Sequence, residues 1–115
     1  MIVRLYTGPD GESHFEEIAP PFAPEGPSER TRPEQTEGIS FGRAQPDYFL
    51  DWHNAPRKQY VITLAGQVEI GLSDGSVRKF GPGDVLLAED LTGHGHTTRV
   101  VSSEPRITLT VPLRG

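Results

Sequence analysis

The sequence predicts a single all-β domain, and three observations support that prediction. From residue 39 onward, short runs rich in Val, Ile, Leu and Thr follow one another, which is typical of β-strands. Turn residues separate these runs, and the chain contains 13 glycines and 11 prolines in 115 residues. No segment shows a helical period of useful length. Many short strands at regular spacing indicate a β-sandwich or a β-barrel.

The N-terminal part is predicted to hold two strands and an arm. The runs MIVRLY and SHFEEI are typical of short strands, and the turn TGPDGE joins them. Residues 20–37 contain five prolines and few side chains that could be buried. This composition favours a surface loop or an extended arm over a helix.

Residues 38–115 are expected to form the barrel core of this single domain, which spans residues 1–115, with residues 1–37 as its N-terminal strands and arm. Six runs are predicted as strands of the core: YVITLAG, QVEIGLS, SVRKF, DVLLAE, TTRVVSS and RITLTVP. The dipeptide Asp74-Gly75, between two alternating runs, is the clearest hairpin signal in the chain.

The run QVEIGLS shows the alternation of a half-buried strand. Val68, Ile70 and Leu72 occupy alternate positions. Because alternate residues of a strand point to the same side, these three side chains are expected to share one face.

Composition excludes several classes of protein. The net charge of −5 argues against a nucleic-acid partner, since nucleic-acid-binding proteins usually carry a basic face. The absence of cysteine excludes disulfides, cysteine zinc sites and cysteine nucleophiles. No apolar run approaches the roughly 18 residues of a membrane span, and the N-terminus turns polar too early for a signal peptide. We therefore expect a cytoplasmic protein with no membrane partner.

The segment DWHNAPRKQYVITLAG carries the first functional signal. Together with FGPGDVLLAEDLTGHGH, it resembles the two motifs of the cupin superfamily, over about residues 51–98. His53 stands at the first histidine of that pattern, and Gln59 stands where the family has a glutamate. Ala55 stands at the second histidine, so one imidazole is missing. The resemblance implies an antiparallel jelly-roll barrel of two sheets, also called a double-stranded β-helix.

The second motif begins with Pro82-Gly83-Asp84 and presents its histidine on the following strand. An ungapped alignment places His94 at that position, whereas a loop that is two residues longer places His96 there. Both alternatives stay open. The two segments also resemble a group of small, uncharacterised bacterial cupins, so the resemblance implies no particular reaction.

The resemblance implies an altered metal site with the ligands His53, Gln59 and one or both of His94 and His96. Its cofactor would be a divalent transition metal such as zinc, iron, nickel or manganese, with water in the open positions. Because a neutral amide oxygen is a weaker donor than a carboxylate, we expect a lower affinity than in a standard site. Each histidine also has a simpler interpretation as a hydrogen-bonded or exposed residue.

Three further side chains of the first motif are candidates for substrate contact. Arg57, beside the expected barrel mouth, could hold a carboxylate or a phosphate by a bidentate contact. Trp52 and Tyr60 are aromatic candidates for the same site. The alternatives are that Arg57 is a solvated surface charge and that the two aromatic residues belong to the core or to a dimer interface.

Three functions are compatible with these residues. The first is a metal-dependent enzyme, such as a dioxygenase, isomerase or lyase, that acts on a small organic molecule. The second is a metal-free barrel that binds or senses a small molecule, and the third is a structural or interaction protein whose barrel is filled by side chains. Burying the cluster of His53, Gln59, His94 and His96 without use would be costly, which argues against the third function. The sequence does not decide whether the protein is an enzyme.

The expected partners are a small-molecule ligand and a second copy of the chain. The cupin resemblance and the proline-rich arm suggest a homodimer in which the N-terminal strands pack on or pair with the partner. Exposed strand edges make such pairing favourable.

Overall fold

The computed structural model describes residues 1–115 and contains twelve β-strands and no helix, which confirms the all-β prediction. The strands are β1 (Ile2–Thr7), β2 (Ser13–Ile18), β3 (Ala23–Glu25), β4 (Ser28–Arg30), β5 (Ser40–Ala44), β6 (Phe49–His53), β7 (Gln59–Ala65), β8 (Val68–Gly71), β9 (Val77–Phe80), β10 (Val85–Glu89), β11 (His96–Val100) and β12 (Arg106–Pro112). The chain has no helix with the length and apolarity that crossing a membrane requires.

Two sheets form the barrel, and a separate hairpin lies in the arm. The larger sheet has the strand order β2-β1-β10-β7-β12-β5, and the smaller sheet has the order β6-β11-β8-β9. Strands β3 and β4 pair only with each other. One core cluster joins Val3 and Leu86 of the larger sheet to Val68 and Phe80 of the smaller sheet. The two sheets therefore pack face to face, as the predicted jelly roll requires.

Strand alternation fills the space between the sheets. Val68, Ile70 and Leu72 are all buried, which confirms that they share the core face. The predicted hairpin at Asp74-Gly75 joins β8 to β9. Gly75 adopts a φ of 88°, a left-handed conformation that glycine accepts without strain.

Several features of the sheets differ from the sequence prediction. Strand β1 runs parallel to β10, although the other strand pairs are antiparallel. The prediction contains neither β5 and β6 as individual strands nor a hairpin within the arm. These four short strands contain no Val, Ile or Thr, so local propensity gives little signal for them. Pairing with β12 and β11 defines β5 and β6 instead.

Candidate functional site

A cavity of about 140 Å³ lies between the two sheets. Strands β6, β7, β11 and β12 all contribute to its wall. Its polar lining consists of His53, Gln59, His96, Thr98 and Arg106. Apolar side chains complete the wall, and no aspartate or glutamate faces it. The cavity therefore combines a hydrocarbon surface with a few convergent polar groups, which is typical of small-molecule sites.

Two histidines meet at this cavity because their strands are paired in register. His53, at the end of β6, is the ladder partner of His96, at the start of β11. Their ring centroids lie 4.3 Å apart, with 59° between the ring planes. Gly95 permits this approach, since a Cβ there would collide with the carbonyl oxygen of His53. The register and the glycine together fix the histidine pair.

Both imidazole rings are held through Nδ1. His53 Nδ1 lies 2.7 Å from the carbonyl oxygen of Asp51 and donates to it, since a carbonyl oxygen only accepts. Burial lowers the pKa of His53 below its ordinary value of 6.5, so the ring is neutral at pH 7. His96 Nδ1 lies 2.6 Å from Oδ2 of Asp90. Both rings therefore leave Nε2 free to meet a ligand in the cavity.

The carboxylate of Asp90 is buried behind His96 and connects three parts of the chain. Asp90 has no exposed surface, and its Oδ2 also accepts a 2.8 Å hydrogen bond from the Ser13 hydroxyl. Its backbone carbonyl accepts a hydrogen bond from the amide of Ala55. Ser13 belongs to β2, and Ala55 follows β6. Asp90 therefore connects both segments to the site. Oδ1 of Asp90 is buried without a partner.

Gln59 and Arg106 bring further polar groups into the cavity. Gln59 faces inward with Val61 and Thr63, as the alternation of β7 predicts. Nη2 of Arg106 donates to Oγ1 of Thr63 over 3.1 Å, whereas its buried Nε has no partner. Burial lowers the pKa of Arg106 to about 10, so the guanidinium remains charged at pH 7.

The sequence prediction missed Arg106. The signal that could have identified it is its position in the run RITLTVP, where it is in phase with Thr108 and Thr110. These two small polar residues leave room on their face of the strand. Without the sheet order, however, the apolar residues of the opposite phase are the natural choice for the core.

His94 lies outside the cavity, which separates it from the other proposed metal ligands. Its Nδ1 is 2.9 Å from Oε2 of Glu12, and its ring contacts Trp52 at a centroid distance of 4.5 Å. The residue is exposed on the loop between Gly93 and Gly95, both of which have positive φ. Of the two alternatives for the second motif, His96 is the histidine that faces the cavity.

The structure also places the three predicted substrate contacts away from the cavity. Arg57 is exposed on the connection between β6 and β7. Trp52 is exposed, because it precedes His53 on β6 and points to the opposite side. Tyr60 alternates with Gln59 in the same way, and its hydroxyl donates to Glu34 of the arm over 2.7 Å. Burial and the Glu34 carboxylate raise the pKa of Tyr60 to about 12.

The residues around the cavity do not fit the divalent metal that the sequence predicts. Their donors are the imidazoles of His53 and His96 and the amide of Gln59, without a carboxylate. No group of three or more His, Cys, Asp or Glu side chains could hold a metal ion. The guanidinium of Arg106 adds a positive charge, which disfavours a cation in the same space. The donor set suits a neutral or anionic organic molecule better than a metal ion.

No protein-family model and no curated protein matches the sequence. The fold, however, matches solved structures. A protein of unknown function from Rhizobium leguminosarum bv. viciae 3841 is 23% identical, with a TM-score of 0.56 over 67% of this chain and 69% of that chain. A protein with a double-stranded β-helix domain from Klebsiella pneumoniae is 23% identical, with a TM-score of 0.52 over 67% of this chain and 66% of that chain.

A cupin domain from Bordetella pertussis covers more of the chain. It is 14% identical, with a TM-score of 0.53 over 87% of this chain and 100% of that domain. At such low identities the likeness concerns the fold and not the activity. The chain has a double-stranded β-helix fold like that of this cupin domain, which confirms the fold that its two motifs imply.

Proposed function

We propose that the protein is a barrel that binds a small organic molecule in its interior without a resident metal ion. The observation that carries this proposal is the cavity in which His53 and His96 are held through Nδ1 and present Nε2. Its volume of about 140 Å³ is below the roughly 300–1,000 Å³ of pockets for drug-sized ligands. The ligand is therefore a small molecule of metabolite size.

The cavity offers complementary chemistry to such a ligand. Nε2 of the neutral His53 accepts a hydrogen bond, and the amide of Gln59 both donates and accepts. Val61, Ile70 and Leu86 supply an apolar surface for a hydrocarbon portion. Gln59 lies on β7 and His96 on β11, and each strand is paired on both sides within its own sheet, so the two side chains keep their places without ordering a loop.

A barrel that serves only a structural role is supported less well. Such a barrel would be filled by its own side chains, and its buried polar atoms would be paired. Here Nε of Arg106 is buried beside open space without a partner, which costs about 1–3 kcal/mol. A bound molecule that accepts from this atom would offset that cost.

A fragment screen by NMR on the chelator-treated full chain tests the proposal. We expect ligands to bind with the chelator present, and the His53→Ala and His96→Ala variants to bind them at least about tenfold more weakly. His94→Ala is the matched control, because His94 lies outside the cavity. The proposal is wrong if no fragment binds, or if binding requires added zinc, iron, nickel or manganese.

We also propose that two copies of the chain associate through β5, β6 and the arm. Four apolar side chains of this region are between 41% and 70% exposed: Ile39, Phe41, Phe49 and Leu50. Strands β5 and β6 are edge strands, so one side of each ladder is unpaired. The hairpin β3–β4 is exposed throughout, and an isolated two-stranded hairpin is marginal in water. A partner surface would stabilise all three features.

Sedimentation velocity checks this association. We expect a dimer for the native chain and at least about tenfold weaker self-association for Phe41→Glu, because the charge would be buried in the interface. Val77→Glu is the control, since Val77 is also exposed but lies on β9 at the far edge of the smaller sheet. A native chain that stays monomeric over the accessible concentration range would contradict the proposal.

A further inference from the structure

We infer that the ligand of the cavity is a small organic carboxylate that is held by the guanidinium of Arg106, an inference that rests on the proposed function. Nothing in the motif pattern assigns a role to this residue. Its charge, its partial burial and the absence of an acidic protein partner indicate an anionic ligand.

Arg106 differs from every other arginine of the chain. Four arginines form ion pairs with a carboxylate: Arg4, Arg30, Arg78 and Arg114. Four others are exposed, so water solvates their charge: Arg32, Arg43, Arg57 and Arg99. Arg106 alone combines partial burial with the lack of an acidic partner, and its Nε is a buried atom without a hydrogen bond. Its single protein hydrogen bond goes to the neutral hydroxyl of Thr63.

A partly buried charge without a partner is unusual in stable proteins, because no protein group compensates for the hydration that the charge has lost. The pKa of Arg106 falls only to about 10, so the residue does not avoid the cost by losing its proton at pH 7. An anionic ligand would supply the missing counter-charge. It would also accept from Nε, the donor that is buried without a partner.

The surroundings of Arg106 are free of competing acids. A second chamber of about 240 Å³ adjoins the guanidinium and shares Arg106 and Thr98 with the first. Arg43 and Tyr48 line this chamber, and neither chamber has an aspartate or a glutamate in its lining. The chain as a whole carries a net charge of −5. A basic interior in an acidic protein therefore favours an anion at this one place.

A carboxylate fits the available donors. The planar guanidinium offers parallel N–H groups that match the two oxygens of a carboxylate, and such pairs are stronger than neutral hydrogen bonds. The apolar wall formed by Val61, Ile70 and Leu86 can hold the hydrocarbon part of the molecule. His53 and Gln59 can then bond a polar substituent at its other end. A phosphate shares the anion chemistry, so the experiment separates the two.

NMR titration of the full chain with matched pairs of probes tests this inference. The probes are acetate, lactate, malonate and succinate, their uncharged amides, and inorganic phosphate. We expect at least one carboxylate to bind about ten- to a hundredfold more tightly than its amide and than phosphate. Arg106→Gln should abolish that preference, whereas Arg57→Gln should keep it because Arg57 is exposed and lines neither chamber.

Two further variants protect the test against a folding defect. Arg106→Lys keeps the charge without the planar fork, so it should retain only part of the preference. Thr63→Val removes the neutral partner and keeps the charge, so the carboxylate preference should persist.

The outcomes separate this inference from the proposed function. Amides that bind as tightly as their carboxylates, with binding still lost in His53→Ala, would overturn the carboxylate assignment and leave the binding barrel standing. Binding of phosphate alone would also overturn it. A cavity that binds none of these probes and no neutral fragment would overturn both.

Discussion

The two faces of β12 differ sharply in chemistry, and the more polar face is the one that points into the barrel. Arg106, Thr108 and Thr110 lie on the inner side, opposite Thr63 and Val61 of β7. The other phase places Leu109 beside Ile62 and Phe41 on the outer side of the larger sheet. The apolar outer face is where, in our proposal, a second copy of the chain packs. The inner face carries polar side chains in place of apolar packing, as the proposed binding site requires.

The largest effect is expected from breaking the polar network behind the inner face. Asp90→Ala removes the acceptor of both Ser13 and His96 from a fully buried position. We expect a loss of about 3–5 kcal/mol in the free energy of unfolding, because removing one member of a buried polar pair leaves the other unsatisfied. Urea denaturation measures this change. Glu104→Ala, at an exposed position, should change the stability by less than about 0.5 kcal/mol.

A loss below about 1 kcal/mol for Asp90→Ala would mean that the network behind His96 contributes little. Apolar packing alone would then stabilise the inner side of the barrel. The inner and outer faces of β12 would no longer differ in the interactions that stabilise them.

A smaller effect is expected from a glycine that sets the approach of the two histidines. Gly95 and Gly75 both have positive φ, but a Cβ at Gly95 collides with the His53 carbonyl whereas the space at Gly75 is open. Gly75→Ala should cost about 1–2 kcal/mol of backbone strain. Gly95→Ala should cost about 1–3 kcal/mol more and weaken ligand binding, because the backbone must shift. Thermal unfolding of both variants measures this difference. Equal losses of stability in the two variants would contradict the prediction.

The smallest effect concerns the protonation of His53. Its folded-state pKa is below the ordinary value of 6.5, mainly because burial disfavours the charged ring. The folded protein therefore binds this proton more weakly than the unfolded chain, and stability falls as the pH drops below about 6.5. His53→Gln should remove that part of the pH dependence. In an NMR titration, a His53 ring proton that titrates above pH 6.5 would contradict the assignment.

Most of the fold could be predicted from the sequence because its central strands follow strong local rules. The strands β7 to β12 combine β-branched residues with clear turn signals, and Asp74-Gly75 marks its hairpin directly. The edge strands β5 and β6 have neither feature, since their partners on β12 and β11 define them. The parallel pairing of β1 with β10 joins residues that are far apart in the chain, and no local pattern encodes it.

The candidate site was only partly predictable, for a related reason. The resemblance to the two motifs named His53, Gln59 and His96 for one site, and the structure places all three around one cavity. The choice between His94 and His96 depended on the conformation of the loop after β10. In that loop His94 contacts the carboxylate of Glu12 and lies outside the cavity. Arg106 was not predicted because, without the sheet order, the alternation of β12 favours Leu109 and its apolar neighbours as the core-facing residues. The sequence of a strand does not show which of its two faces packs against the second sheet.

The most direct test follows the side-chain Nε–H resonance of Arg106 by NMR, assigned with the Arg106→Gln variant, in chelator-treated protein. We expect this resonance to shift and saturate on titration with the carboxylate that binds best, and to stay in place with the matching amide. A resonance that ignores every carboxylate, or that responds only after a divalent metal is added, would contradict a metal-free anion site in the barrel.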